Sequence, residues 1–119
     1  MLLDYSQVKH IYLVCGHTDM RKGTNSLALI IQNQFSLDLY QEGSLFLFCG
    51  RKADRYKALF WDNDGFALLY KQINSGKLKW PRNENEVKKL SQRELRWLLD
   101  GLKIEQPKAI STAKKGGIF

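Results

Sequence analysis

No apolar run in the sequence approaches the roughly 18 residues that a membrane-crossing helix requires, and the N-terminus carries an acid, Asp4, with no basic stretch ahead of an apolar one. Those absences argue against membrane insertion and export and for a soluble, cytoplasmic chain. Cysteine is scarce too. Cys15 and Cys49 are the only two, and each closes an apolar stretch just before a glycine. A disulfide framework or a metal site would want more ligands at closer spacing, so the two are read as buried free thiols in a reducing compartment. Neither a metal nor a cofactor is indicated.

Acidic residues are outnumbered, 12 against 19 Lys and Arg, for a formal net charge of +7. The excess is localised. Residues 51–82 hold eight bases (Arg51, Lys52, Arg55, Lys57, Lys71, Lys77, Lys79, Arg82) and three acids (Asp54, Asp62, Asp64), a net of +5, while residues 1–50 sum to −1 and residues 83–119 to +3. A concentrated basic field points to a polyanionic partner.

With 119 residues and 44% apolar content the chain is one globular domain, large enough to bury roughly 65% of its unfolded surface. Residues 1–10 lack a clear period and form a lead-in. Ile11–Cys15 and Leu45–Cys49 are short, continuous apolar runs, suited to strands buried on both faces. Between them, Leu27, Ile30, Ile31 and Phe35 keep helical spacing from Thr24 to Phe35, with Thr24 or Asn25 able to cap the start. Strand, helix and strand in succession make a βαβ unit with parallel strands. Tyr56–Trp61 and Phe66–Ile73 are two further strands, joined by Asp62-Asn63-Asp64-Gly65, whose residue types suit a hairpin turn. Lys77–Trp80, ended by Pro81, is read as a short edge strand and Arg82–Leu90 as a loop. Ser91-Gln92-Arg93-Glu94 is a capping box, followed by Leu95, Leu98, Leu99 and Leu102 at helical spacing, with Gly101 as the stop. The expected fold is α+β: a single compact domain over residues 1–104, with a mixed four- to five-stranded sheet in β-α-β-β-β-α order and two helices. Residues 105–119 are expected to form a flexible basic tail.

Parallel pairing has a consequence for charge. The loop holding Arg21 and Lys22 should meet the loop holding Arg51, Lys52 and Arg55, with Lys57 and Lys71 beginning and ending the next hairpin at the same rim and Lys77, Lys79 and Arg82 alongside. The first helix should present its N-terminus there, where free N–H groups favour an anion. Arginine's planar fork suits phosphate, and Tyr56, Tyr70 and Trp80 lie near these bases in sequence. The competing reading is a solvated basic surface with no ligand.

Three catalytic arrangements fit poorly. Arg21-Lys22-Gly23-Thr24 exchanges the lysine and glycine of a phosphate-cradling NTPase loop. Asp19, Asp54, Asp62 and Asp64 could serve a metal-dependent nuclease only if they converged, and the turn already explains two of them. His10 and His17 have no evident nucleophile. Trp61 and Phe66 are read as core, and Trp97, off the leucine stripe, as a partly exposed residue that makes the second helix a possible partner surface.

The strings CGHTDMRKG, LFLFCGRKADRYKALFWDNDGFALLYKQINSGKLKWP and SQRELRWLLDGL resemble the accessory protein encoded by the second open reading frame of the insertion-sequence sixty-six family of bacterial transposons, over residues 11 to about 104. The resemblance implies a protein that supports transposition beside a separate transposase, and it supplies no catalytic residue. The expected partner is DNA at transposon ends. The alternatives are an adaptor that docks on the transposase or another accessory protein of the element, and a nuclease.

Overall fold

Ser44–Cys49 (β2) has six consecutive buried side chains, and a strand buried on both faces belongs in the middle of its sheet. A computed structural model, which describes residues 5–105, places it there. After a short 3-10 turn at Tyr5–Gln7 come His10–Val14 (β1), Thr24–Leu29 (α1), β2, Arg55–Trp61 (β3), Phe66–Gln72 (β4), Val87–Leu90 (β5) and Gln92–Leu99 (α2). The sheet order is β4-β3-β2-β1-β5. β1 and β2 are parallel, Ile11 opposite Leu45, as the crossover requires, and the other pairs are antiparallel.

Side chains alternate between two cores. Ile11, Leu13, Leu45, Leu47, Tyr56 and Ala58 face Leu78, Trp80, Leu95 and Leu98. Val14, Phe46, Phe48 and Leu59 face Leu27, Ile31 and Leu39. The capping box is present: Glu94 N–H donates to Ser91 Oγ at 3.1 Å and Ser91 N–H to Glu94 Oε1 at 2.8 Å. The hairpin closes with Asp62 N–H donating to Gly65 O at 2.8 Å, although Asn63, and not Gly65, takes the left-handed angle (φ 63).

Four details depart from the sequence reading. The fifth strand is Val87–Leu90, within the stretch read as a loop; it pairs with β1 and buries only Leu90, so its apolar pattern is too sparse to announce a strand. Lys77–Trp80 is not a strand. Leu78 and Trp80 fold over the α2 face, and the indole Nε1 donates to Val14 O at 2.9 Å. The first helix is α-helical only to Leu29, widens into a π-helical turn at Ile30–Gln34, and is N-capped by Gly23 without any side-chain bond, so neither Thr24 nor Asn25 caps it. Leu102 lies beyond the end of α2 and is 45% exposed, because Gly101 (φ 83) turns the chain first. Among the described residues no helix is long and apolar enough to cross a membrane. The tail expected at 105–119 lies, after Glu105, outside the described residues.

Candidate nucleic-acid interface

Parallel neighbours leave a sheet at the same end, so the loops that follow β1 and β2 come together. Thr18 N–H donates to Cys49 O at 2.8 Å, tying the first loop to the end of β2. At Gly50 a Cβ would lie 3.0 Å from Met20 Cγ and 3.1 Å from Arg55 Cγ, so the loops close tightly only because no side chain is there. The Lys57 ammonium donates to Lys22 O at 2.7 Å. Arg51 Nη2 lies 3.3 Å from His17 Nε2, and since guanidinium only donates, the ring nitrogen accepts. Between the loops is an open cavity of about 550 Å³, lined among others by His17, Arg21, Arg51, Lys52 and Arg55.

Two of these cations are already matched by carboxylates. Arg21 grips Asp19 with Nε at 3.0 Å and Nη2 at 2.8 Å, and its backbone N–H also donates to Asp19 Oδ1 at 2.9 Å, so hydrogen bonding to Arg21 holds the Asp19 carboxyl well below the usual range. Arg55 Nε lies 3.1 Å from Asp54, whose carboxyl is lowered by the same cause. Lys22, Arg51 and Lys52 form no ion pair among the described residues. Lys57 stands 5.4 Å from the centre of the Tyr70 ring, within cation–π range.

The expected rim is therefore assembled from Arg21, Lys22, Arg51, Lys52, Arg55 and Lys57, and the remaining bases are placed differently. Lys71 reaches the same end of the sheet but pairs with Tyr56, hence on the α2 face, while Lys57 pairs with Tyr70 on the other. Lys77 and Arg82 border the rim: Leu78 N–H donates to Ala53 O and Gly16 N–H to Pro81 O, both at 2.8 Å. Lys79 lines a separate groove with Lys88 and Lys103. Of the three aromatics, Tyr56 and Trp80 are core residues, and Tyr70 alone is open, at 47%. α1 is short, with six α-helical residues, so the side-chain cations and not a helix dipole dominate this end. His17, read as a plain loop residue, belongs to the site; its place two residues past a parallel strand was the available signal.

The four carboxylates do not converge as a set: Asp19 and Asp54 line the same cavity, each held by its own arginine, and the other two are remote. Asp62 and Asp64 sit at the other end of the hairpin, seven strand residues away, roughly 20 Å. His10 begins β1, at the end of that strand away from the rim. No group of three or more His, Cys, Asp or Glu is arranged to hold a metal among the described residues. Cys15 and Cys49 are buried free thiols, and burial pushes Cys49 up to about 11. Trp61 and Phe66 pack against each other, ring centres 5.0 Å apart, and the half-buried Trp97 lies under the Arg93 guanidinium at 5.5 Å.

The family described as IS66 Orf2 like protein matches residues 9–109, a span that includes both rim loops, the hairpin and α2. An uncharacterized protein of Sinorhizobium fredii, y4hO, is 34% identical over 106 residues, covering 89% of this chain and 91% of its own length. A second from that organism, the uncharacterized protein y4jC, is 31% identical over 84 residues, 71% of each chain. No solved structure matches. The chain belongs to the IS66 Orf2-like family, which associates it with an accessory role in transposition.

Proposed function

We propose that the protein binds DNA at or near transposon ends, without catalysis, through the basic rim. The observation that carries the reading is the docking of the two loops, which gathers four cations, Arg21, Arg51, Lys52 and Arg55, around a cavity with two carboxylates, each already occupied by its own arginine, and ties Lys57 to Lys22 beside it. The contacts are with phosphates, giving affinity more than sequence choice. Arg51 and Lys52, exposed and free of ion pairs, lead; Lys22 and Lys57 follow; Lys77 and Arg82 extend the track, and Tyr70 offers a face for a base. Lys71 and Lys79 can contribute only where the nucleic acid passes round the edge of the sheet.

The test is a binding series with end DNA, random DNA and RNA across salt concentrations. About four engaged phosphates give a slope of log affinity against log salt near −3.6, so binding weakens by roughly two orders of magnitude between 50 and 200 mM. Arg51→Glu with Lys52→Glu should abolish it. A flat salt response, or a charge-reversed variant that binds as before, ends the proposal.

One observation supports a second reading. Trp97 and Leu102 leave an apolar surface around the end of α2, which suits an adaptor that docks on the transposase. In that case the Arg51→Glu, Lys52→Glu variant retains its partner in a pull-down, and Trp97→Ala loses it.

A further inference from the structure

The two edges of the sheet are built differently. β5 has four residues, two of them lysines, Lys88 and Lys89, and a short charged edge resists addition of another strand. β4 has seven, Phe66–Gln72, with one charge, no proline and no glycine; Phe66, Ala67, Leu68 and Leu69 are only half-buried. Its hydrogen-bond phase follows from its two ends. Asp62 N–H donates to Gly65 O, and Ile73 N–H to Asp54 O. In the observed register Ala67, Leu69 and Lys71 therefore exchange bonds with β3, while Phe66, Leu68, Tyr70 and Gln72 aim their N–H and C=O groups away from the sheet. No backbone bond from a turn or loop reaches those outward groups among the described residues.

We propose that β4 docks a second copy of this chain, antiparallel about a twofold axis at Leu68, to form a continuous ten-stranded sheet. The outward groups lie on even-numbered residues, so a self-pair in proper hydrogen-bonding phase has its axis on a residue; an axis at Leu68 sets Phe66 across from Tyr70 of the second copy. Charge selects the same arrangement. β4 starts at the acidic turn of Asp62 and Asp64 and ends at Lys71, beside Arg55 and Lys57. Antiparallel self-pairing brings acidic end to basic end, with Lys71 opposite Gly65 and beside Asp64 of the second copy, whereas parallel pairing sets like against like. Tyr40, 58% exposed and 6.0 Å from the Phe66 ring centre, widens the apolar surface on that face. A single strand pair is a small interface, so the dimer belongs to the micromolar class. The two basic rims then lie at opposite ends of the joined sheet, both open.

Sedimentation velocity on the full chain without DNA, from about 1 to 200 µM, tests this. The expected result is a monomer–dimer equilibrium within that range. Tyr70→Pro deletes one outward N–H per copy and no backbone bond to β3, so it raises the dissociation constant roughly tenfold or more while circular dichroism stays unchanged; Tyr70→Phe, which keeps the N–H, self-associates like the parent. Lys71→Glu alone and Asp64→Lys alone each set like charges together and weaken self-association; mixing the two variants restores it as a heterodimer. A chain that is monomeric throughout, or a dimer indifferent to Tyr70→Pro and to the charge exchange, overturns the proposal.

Discussion

Removing an acid from the rim should strengthen DNA binding. Asp19 occupies the Arg21 guanidinium through both Nε and Nη2, so in the free protein Arg21 adds almost nothing to the field that a phosphate meets. Asp19→Asn keeps an acceptor for the Arg21 backbone N–H, now 2.9 Å from Oδ1, and removes the charge. One more cation then becomes available for counterion release. The slope of log affinity against log salt should steepen from about −3.6 to about −4.5, and binding at 0.1 M salt should tighten about eightfold relative to the 1 M reference. Fluorescence anisotropy with a labelled transposon-end duplex, repeated at five or six salt concentrations, reads both quantities. The substitution also separates DNA binding from metal-dependent cleavage: a nuclease that used Asp19 would lose activity with Mg²⁺ or Mn²⁺, whereas a phosphate-binding rim gains affinity. An unchanged slope, or weaker binding, would show that Arg21 does not face the nucleic acid and that the rim is drawn wrongly.

The lowered carboxyls of Asp19 and Asp54 carry a pH consequence with a definite sign. Their ion pairs favour the folded state above the ordinary carboxyl value of 3.8 and lose that contribution as pH falls through the depressed folded values, so melting temperature should hold from pH 7 to about 4.5 and fall below 4, less so in high salt. Gly43 has φ 77, and a Cβ there would lie 2.9 Å from Lys9 Cγ and 3.0 Å from Gln7 O; Gly43→Ala should cost about 1–3 kcal/mol and lower the melting temperature by roughly 10 °C. Gly65→Ala, with nothing within 4 Å of the added carbon, is the control and should melt with the parent. Cys49, whose thiol burial pushes up to about 11, should resist alkylation at pH 8 in the folded protein and react at once in denaturant; rapid labelling of the native chain would contradict the packing at the end of β2.

The legible parts of the fold were those in which one physical signal dominates. Two apolar runs too short for helices, separated by helical spacing, dictate parallel β1 and β2, and parallel strands in turn bring Thr18 to Cys49. Ser91 and Glu94 announce the start of α2 because each satisfies the other's backbone N–H. β5 was not legible, since an edge strand that buries only Leu90 shows two lysines where a pattern would be sought. The alternation Lys77-Leu78-Lys79-Trp80 misled for the opposite reason: burying every second side chain is as useful to a segment covering a core as to a strand, and the sequence does not say which partner takes the backbone bonds.

For the proposed site, counting charge picked out two loops that the fold does bring together, and it overstated their field. A sum over residues treats Arg21 and Arg55 as free cations, yet each has an acid within two positions and closes on it. Alternation supplies the other correction. Lys57 and Lys71 stand at neighbouring positions of paired strands, one register step apart, and that single step puts them on opposite faces of the sheet. The part of the proposed rim left to meet a polyanion is thus narrower than the composition implies, and it rests on Arg51 and Lys52, which lie exposed in a tight turn closed by Ala53 N–H donating to Gly50 O and form no ion pair among the described residues. Reversing those two charges should remove more binding than reversing Lys71 and Lys79 together; equal losses would mean that nucleic acid crosses the sheet edge instead of seating between the loops.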